Sequence, residues 1–116
     1  MKPLLIVDAA NVVGSVPDGW WRDRRGAAER LRDHLASFAG PVEIILVVEG
    51  QARGISSHEG VLVEHARGSG DDAIVDLVRA SAGHRKVTVV TADRELRERV
   101  TALGADVEGP KAYWSG

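Results

Sequence analysis

Acidic residues follow all four short apolar runs of this 116-residue sequence, each within three positions of the run's end. The acids and the runs that they follow are Asp8 after residues 4–7, Glu49 after 44–48, Glu64 after 61–63 and Asp93 after 87–90. Two more carboxylates, Asp71 and Asp72, follow Gly68-Ser69-Gly70 and begin a helical pattern. Clustered carboxylates repel one another, by ~4 kcal/mol at ~4 Å near a protein surface, and a divalent cation removes that cost. Because oxygen atoms are the only donors offered, the pattern indicates Mg²⁺ or Mn²⁺ rather than zinc.

The elements that must position these acids follow from the hydrophobic pattern. The four apolar runs do not alternate with polar residues, which predicts strands buried on both faces of a parallel sheet. Helical spacing links Ala28, Leu31, Leu35 and Phe38, then Ile74, Leu77, Val78 and Ser81, and then Leu96, Val100 and Leu103. A fifth strand is expected at 106–108, and residues 50–60 form an irregular connection. The sequence therefore predicts the α/β class, as one three-layer α/β/α domain over residues 1–116 with a mainly parallel, Rossmann-like sheet.

Ligands of open parallel α/β sheets bind beyond the carboxyl ends of the strands, which is where these acids fall. Composition limits the partners. The net charge of -2 gives no general attraction for nucleic acid, so a nucleic-acid partner must meet a local basic patch. The absence of cysteine excludes disulfides and thiolate zinc sites. No run is long enough to span a membrane, and a cytoplasmic location is expected.

Each acid also has a structural interpretation. Ser69 and Asp72 match a capping box at the start of a helix, and Asp93 is placed to cap the next helix. Asp8 is followed by Ala9-Ala10, where no helix cap is expected to be needed, so Asp8 is not expected to act as one. Glu49 and Glu64 are expected only to mark solvated strand ends. Asp76, one helical turn after Asp72, either extends the acidic cluster or faces water.

A competing motif lies in the same segment. Residues 68–73 match the G-x-G-x-x-A pattern of dinucleotide-binding loops, and Asp93 follows 20 residues later, as that fingerprint requires. Two adjacent aspartates at the helix N-terminus would, however, direct negative charge at a pyrophosphate. A nucleotide-binding enzyme is therefore kept as an alternative.

Three segments together resemble a known family. LLIVDAANVVG, GSGDDAIVDLV and VVTADRELRERV are similar, in this order, to the motif blocks of NYN domains, particularly the YacP-like branch, within the PIN-like nuclease fold. The resemblance implies a metal-dependent ribonuclease with a PIN-like sheet and an acidic pocket. It implies that Asp8 and Asp93 bind metal, that Asp71 and Asp72 supply helix-borne carboxylates, and that Asn11 orients the site or its water. Glu49 falls where many relatives carry an acid.

The chain departs from this family at two points. It lacks the C-terminal extension that YacP-like proteins often have. It also carries Ser69-Gly70 where some NYN proteins have a basic residue before the central aspartate. The substrate therefore has to be inferred from this chain's own residues.

Candidate RNA-binding residues surround the acids in the sequence. Arg94 and Arg67 are placed to neutralise phosphates, and Trp20 with Arg22 and Arg24 forms a basic, aromatic segment that could stack on unpaired bases. The alternative is that one or both tryptophans, Trp21 above all, pack the first helix onto the sheet. Tyr113 and Trp114 are expected to anchor the C-terminal tail, with a homodimer contact as the alternative.

Three function classes follow from these patterns. The first is an Mg²⁺- or Mn²⁺-dependent endoribonuclease that favours single-stranded RNA, whose unpaired bases can meet an aromatic face. The second is a catalytically weak module that binds RNA or a protein. The third is the nucleotide-binding enzyme that would use the Gly68-Ser69-Gly70 loop.

Overall fold

A five-stranded parallel sheet forms the centre of the protein in a computed structural model that describes all residues, Met1–Gly116. The strands are β1 (Leu4–Asp8), β2 (Glu43–Val48), β3 (Val61–His65), β4 (Val87–Val90) and β5 (Asp106–Glu108). Their order across the sheet is β3-β2-β1-β4-β5. The central strand, β1, pairs with β2 on one side and with β4 on the other.

Four α-helices cover the two faces of this sheet. They are α1 (Ala9–Gly14), α2 (Arg24–Leu35), α3 (Gly70–Ser81) and α4 (Arg94–Thr101), with 3-10 turns at Trp20–Arg22, Ala36–Phe38, Gly50–Ala52 and Pro110–Ala112. Buried side chains of α1 and α2 pack on one face, and those of α3 and α4 pack on the other. The predicted three-layer α/β/α fold with a parallel sheet is confirmed.

Burial explains why the apolar runs form the inner strands. All five residues of β1 are buried, because both faces of the central strand are covered by helices. The edge strand β3 departs from the prediction that both faces are buried. Val61 and Val63 enter the core while Leu62 is 52% exposed, because α3 packs over β1 and β2 and does not reach the edge.

The irregular connection at residues 50–60 is confirmed, and it closes the free edge of β3. His58 and Val61 exchange backbone hydrogen bonds, and the Val63 amide donates to Ser57 Oγ at 2.9 Å. His65 Nε2 lies 2.9 Å from the Ile55 carbonyl oxygen. These contacts use backbone groups that an exposed edge strand would otherwise offer to another chain.

Two helix starts are set by aspartate caps. The helix whose apolar spacing includes Ala28 begins at Arg24, because Asp23 Oδ1 accepts a hydrogen bond from the Gly26 amide at 2.9 Å and caps it. The short helix α1 was not predicted, and it begins directly after Asp8. No helix of the structure has the length and apolarity that crossing a membrane requires.

Candidate active site

The chain leaves the carboxyl ends of β1 and β4 in opposite directions. After β1 it enters α1 and α2 and returns through β2, whereas after β4 it enters α4 on the other face and continues to β5. Such a switch in strand order opens a crevice at the sheet edge, where α/β proteins bind their ligands. Asp8 at the end of β1 and Thr91 just after β4 lie at this crevice.

Asp8 is buried at the crevice, with 6% of its surface exposed. The Thr91 hydroxyl donates a hydrogen bond to Asp8 Oδ2 at 3.0 Å, and the backbone amide of Asn11 donates one to Asp8 Oδ1 at 3.5 Å. The second contact makes Asp8 the N-cap of α1. The expectation that Asp8 does not cap a helix is therefore wrong. A helix begins immediately after the strand, and the Asp8 carboxylate accepts a hydrogen bond from one of the free backbone amides of that helix.

The electrostatic environment of Asp8 favours its neutral form. The pKa of Asp8 is raised to about 6, mainly by burial and in smaller part by the negative charges of Asp71 and Glu49, against the lowering effect of the Thr91 and Asn11 hydrogen bonds. A carboxylate that is held in this way gains stability from a positive charge beside it. This is the electrostatic behaviour expected at a cation-binding or catalytic position.

Asn11 and Thr91 hold the loop between β4 and α4 against the end of β1. Asn11 Oδ1 accepts a hydrogen bond from the Ala92 amide at 2.8 Å, and Thr91 Oγ1 accepts one from the Asp93 amide at 3.2 Å. Asp93 Oδ1 in turn accepts from the Leu96 amide at 3.0 Å, which confirms that Asp93 caps α4. Asn11 therefore orients the backbone beside Asp93, and Thr91, which the sequence analysis did not single out, connects Asp8 with that backbone.

Glu49 joins this group of acids from the end of β2. Its carboxylate accepts a hydrogen bond from the Gly70 amide at the first residue of α3, and its charge raises the pKa values of Asp8 and Asp71. A Cβ atom at position 70 would lie 2.9 Å from Glu49 Oε2, so the glycine leaves room for the Glu49 carboxylate to approach the backbone as it does here. The expectation that Glu49 only marks a solvated strand end is wrong. Its hydrogen bond also occupies an amide that a nucleotide pyrophosphate would need.

The structure separates the two neighbouring aspartates of α3. The pKa of Asp71 is raised by burial and then by the charges of Asp93 and Glu49, so Asp71 faces the other acids. Asp72 is exposed and forms an ion pair with Arg99 at 3.1 Å, away from them. Ser69 caps α3, because its Oγ accepts a hydrogen bond from the Asp71 amide at 3.1 Å. Asp72 does not complete the predicted capping box, because its carboxylate pairs with Arg99.

The remaining acids lie outside the cluster. Asp76 faces water and forms an exposed ion pair with Arg79 at 3.2 Å. Glu64 is exposed on the edge strand β3 and lines a depression that also contains Arg67. The structure therefore brings together four carboxylates from four separate elements. These four residues, called the carboxylate cluster below, are Asp8, Glu49, Asp71 and Asp93.

The carboxylate cluster offers a divalent cation oxygen donors only. The pKa values of Asp8 and Asp71 are raised first by burial and then by neighbouring negative charges, which a cation would offset. Both properties fit Mg²⁺ or Mn²⁺. No three histidine or acidic side chains are already arranged as a set of metal ligands. The cluster therefore supplies the required donors without a preformed coordination shell.

A cavity of about 290 Å³ adjoins the carboxylate cluster at Glu49 and is lined by Trp20 and Arg24. The Arg24 guanidinium lies 5.1 Å from the centre of the Trp20 ring. Trp20 is partly buried against the core, whereas Trp21 is 52% exposed. The expectation that Trp21 packs the first helix onto the sheet is wrong: Trp20 makes that contact, because Trp21 points outward with Arg22 beside its ring at 5.7 Å.

The two other candidate arginines are exposed and lie in separate depressions. Arg94 is the first residue of α4, directly after Asp93, and it shares its depression with Arg97. Arg67 lies in the depression beside Gly68, and Gly68 also borders the cavity at Trp20. Arginines therefore stand on two sides of the carboxylate cluster.

The C-terminal tail packs back onto the protein. Trp114 is 8% exposed and lies in the core beside the His34 ring, and Tyr113 contacts Phe38 at a ring-centre distance of 5.1 Å. The prediction that these residues anchor the tail is confirmed.

The architecture places the chain among parallel α/β proteins that carry an acidic crevice beside their central strand. Two solved structures share this fold: those of Rae1 (YacP) from Bacillus subtilis and of its W164L mutant. The first has a TM-score of 0.74 at 22% identity and the second a TM-score of 0.72 at 18% identity. Each comparison covers 93% of this chain and 69% of the other. No protein-family model and no curated protein matches the sequence.

Proposed function

We propose that this protein is a metal-dependent ribonuclease that cuts single-stranded RNA internally. One observation carries the proposal: Asp8, Glu49, Asp71 and Asp93 converge from four elements at the crevice between β1 and β4. The fold shared with Rae1 (YacP) supports it, because the sequence motifs resemble the YacP-like branch of NYN domains and that resemblance implies a ribonuclease.

The proposed cofactor is Mg²⁺ or Mn²⁺. Asp8, Asp71 and Asp93 would hold it, with Glu49 adjacent. When bound, the cation supplies neutralisation of the scissile phosphate and activation of a water molecule for attack on phosphorus. Asp72 is not among these residues, because it is paired with Arg99 outside the crevice.

The protein's own residues position the reacting groups. Thr91 and Asn11 fix Asp8 and the backbone of the β4–α4 loop, so that Asp93 is held at the same edge as Asp8. Arg94 and Arg67 would bind RNA phosphates on either side of the crevice. Trp20, Arg22 and Arg24 would bind the strand near Glu49, where their side chains form a basic and aromatic surface.

Two other functions remain as alternatives to the ribonuclease. A binding module without catalysis is favoured by a single observation, namely that no three acids are already arranged as metal ligands. A dinucleotide-binding enzyme is disfavoured, because Glu49 occupies the Gly70 amide at the N-terminus of α3. The next experiment separates the nuclease from the binding module.

Calorimetric titration of Mn²⁺ into the wild type and into single Asp→Asn variants tests the proposed site. We expect one saturable binding event in the wild type, lost in Asp8→Asn and weakened at least tenfold in Asp71→Asn, because each removes a carboxylate that faces the crevice. Asp72→Asn should weaken Mn²⁺ binding less than Asp71→Asn does. Asp76→Asn is the matched control, since it makes the same substitution on the same helix at a residue that faces water.

Cleavage of a labelled single-stranded RNA in Mn²⁺ should follow the same order of variants. Metal binding and cleavage that are both absent from the wild type would leave the binding module as the function. Cleavage that persists in Asp8→Asn would indicate a contaminating nuclease and remove the support for this site.

A further inference from the structure

The cavity at Trp20 has a composition that the proposed cleavage chemistry does not require. Its apolar wall consists of the Trp20 ring and of small side chains, among them Ala10 from α1, Ala28 from α2 and Ala52 from the Gly50–Ala52 turn. Small side chains beside an aromatic ring leave space in which a planar group can stack on that ring. The cavity of about 290 Å³ has the size of a site for one ring system and not for a dinucleotide.

Polar groups also line this cavity. Gln51 offers an amide with both donors and acceptors, and Glu49 offers carboxylate oxygens. Arg24 lies over Trp20 with its guanidinium 5.1 Å from the ring centre, so a positive charge lies beside the aromatic surface. An aromatic wall, hydrogen-bonding groups and a cation in one cavity suit a nucleobase attached to a phosphate backbone.

Glu49 connects the cavity with the carboxylate cluster. It lines the cavity, and its charge acts directly on both Asp8 and Asp71. A group that fills the cavity is therefore held beside the carboxylate cluster and not on a remote surface.

We propose that this cavity binds one unstacked base of the RNA strand, adjacent to the phosphate that the carboxylate cluster would cleave. The proposal rests on the proposed ribonuclease function and adds to it a base-binding subsite. A base inside a duplex cannot enter the cavity, so the subsite would make the enzyme select single strands at the point of cleavage.

Abasic substitution of a short single-stranded RNA tests this subsite. The cleavage position is first mapped in Mn²⁺, and kcat/KM is then measured for strands that lack one base at each position around it. We expect kcat/KM to fall roughly tenfold or more when the base is missing at one position near the cut. This is the size of the effect when an aromatic side chain that stacks on a base is removed. All other positions should change little.

A protein variant that fills the cavity completes the test. Ala10 is exposed on α1, so Ala10→Leu should fold normally while its side chain occupies the space beside Trp20, and Ala52→Val is a second filling variant. Ala80→Leu is the matched control, because Ala80 is exposed on α3, away from the cavity. Ala10→Leu should lower kcat/KM for the intact strand by the same factor, and it should have no further effect on the sensitive abasic strand.

Several outcomes would overturn the subsite. Cleavage with no sensitive position, or additive losses from Ala10→Leu and the abasic strand, would contradict it while leaving the ribonuclease intact. If the wild type cleaves nothing, the ribonuclease proposal fails, and titration with the four nucleoside 5′-monophosphates then tests the cavity directly. The Trp20 indole N–H resonance should shift in the wild type and not in Ala10→Leu, and its failure to shift would overturn the base-binding inference.

Discussion

Asp8 combines two roles that compete in a folded protein. Its carboxylate caps α1 and accepts a hydrogen bond from the Thr91 hydroxyl, and both contacts favour the charged form. Burial, which leaves Asp8 6% exposed, favours the neutral form. The balance lies with burial, since the pKa of Asp8 is raised to about 6. The sequence predicts the acid after the strand, but not this balance, because Thr91 approaches Asp8 from 83 residues away along the chain.

The free energy of unfolding should therefore depend on pH through Asp8. Between pH 4 and 6 the unfolded chain ionises its aspartate first and the folded protein keeps the proton, so stability is highest below about 4 and falls as pH rises through 6. Asp8→Asn removes this loss. We expect the metal-free variant to be more stable than the wild type at pH 7, by up to about 3 kcal/mol, and to match it near pH 4.

Urea unfolding in EDTA at several pH values measures this difference. Asp76→Asn serves as the control, because its exposed ion pair should leave the pH dependence of the wild type unchanged. If Asp8→Asn were instead less stable than the wild type at every pH, the hydrogen bonds of the Asp8 carboxylate with α1 and with Thr91 would contribute more stability than the burial of its charge costs.

At the scale of elements, the pairing of β1 with β4 determines where the acids meet. Apolar runs and helical spacing predict these strands and the helices after them, because those signals are local. The six-residue helix α1 gives no hydrophobic period long enough to be recognised, and so the capping role of Asp8 is missed. Strand order is a long-range property, and the contact of Glu49 with Gly70 depends on it.

Thr91 follows β4 and joins it by a side-chain hydrogen bond to Asp8 at the end of β1, and a matched pair of variants isolates its hydroxyl. Thr91→Ser keeps the bonds to Asp8 and to the Asp93 amide, whereas Thr91→Val keeps the shape and removes both. We expect Thr91→Val to lose about 1 to 3 kcal/mol of stability at pH 7, since a buried carboxylate loses its donor. The pKa of Asp8 should rise further, because the Thr91 hydrogen bond lowers it.

Urea unfolding and the carboxyl carbon resonance of Asp8, followed by NMR against pH, report these two effects separately. Equal stability and an equal Asp8 pKa in Thr91→Val and the wild type would show that the hydroxyl contributes nothing to the join. Thr91→Ser should stay close to the wild type in both measurements.

At the scale of the whole molecule, the charge distribution is uneven although the net charge is only -2. The carboxylate cluster occupies the crevice, and exposed arginines stand around it, at Arg94 beside Asp93 and at Arg22 and Arg24 beside the two tryptophans. Composition predicts that nucleic acid must meet a local basic patch, and the structure shows where these arginines lie. It also shows that Trp20, and not Trp21, borders the cavity.

This arrangement predicts a moderate affinity for RNA with a shallow dependence on salt. A few arginine–phosphate contacts should each contribute a slope of about −0.7 in a plot of log affinity against log salt for a single strand. Arg94→Ala should reduce that slope by about one contact and should also slow cleavage, because Arg94 adjoins Asp93. Trp20→Ala should weaken binding at every salt concentration and leave the slope unchanged, since stacking releases no counterions.

Fluorescence anisotropy of labelled single-stranded RNA across a salt series measures the affinity and the slope, and a cleavage assay in Mn²⁺ measures the rate. A double strand of the same sequence should bind more weakly and resist cleavage, because its bases cannot reach Trp20. Arg30→Ala is the control, as Arg30 is exposed on α2 and does not line the cavity. Equal binding of both strand types, or a steeper slope in Trp20→Ala, would contradict a binding surface in which aromatic contacts hold the bases and arginines hold the phosphates.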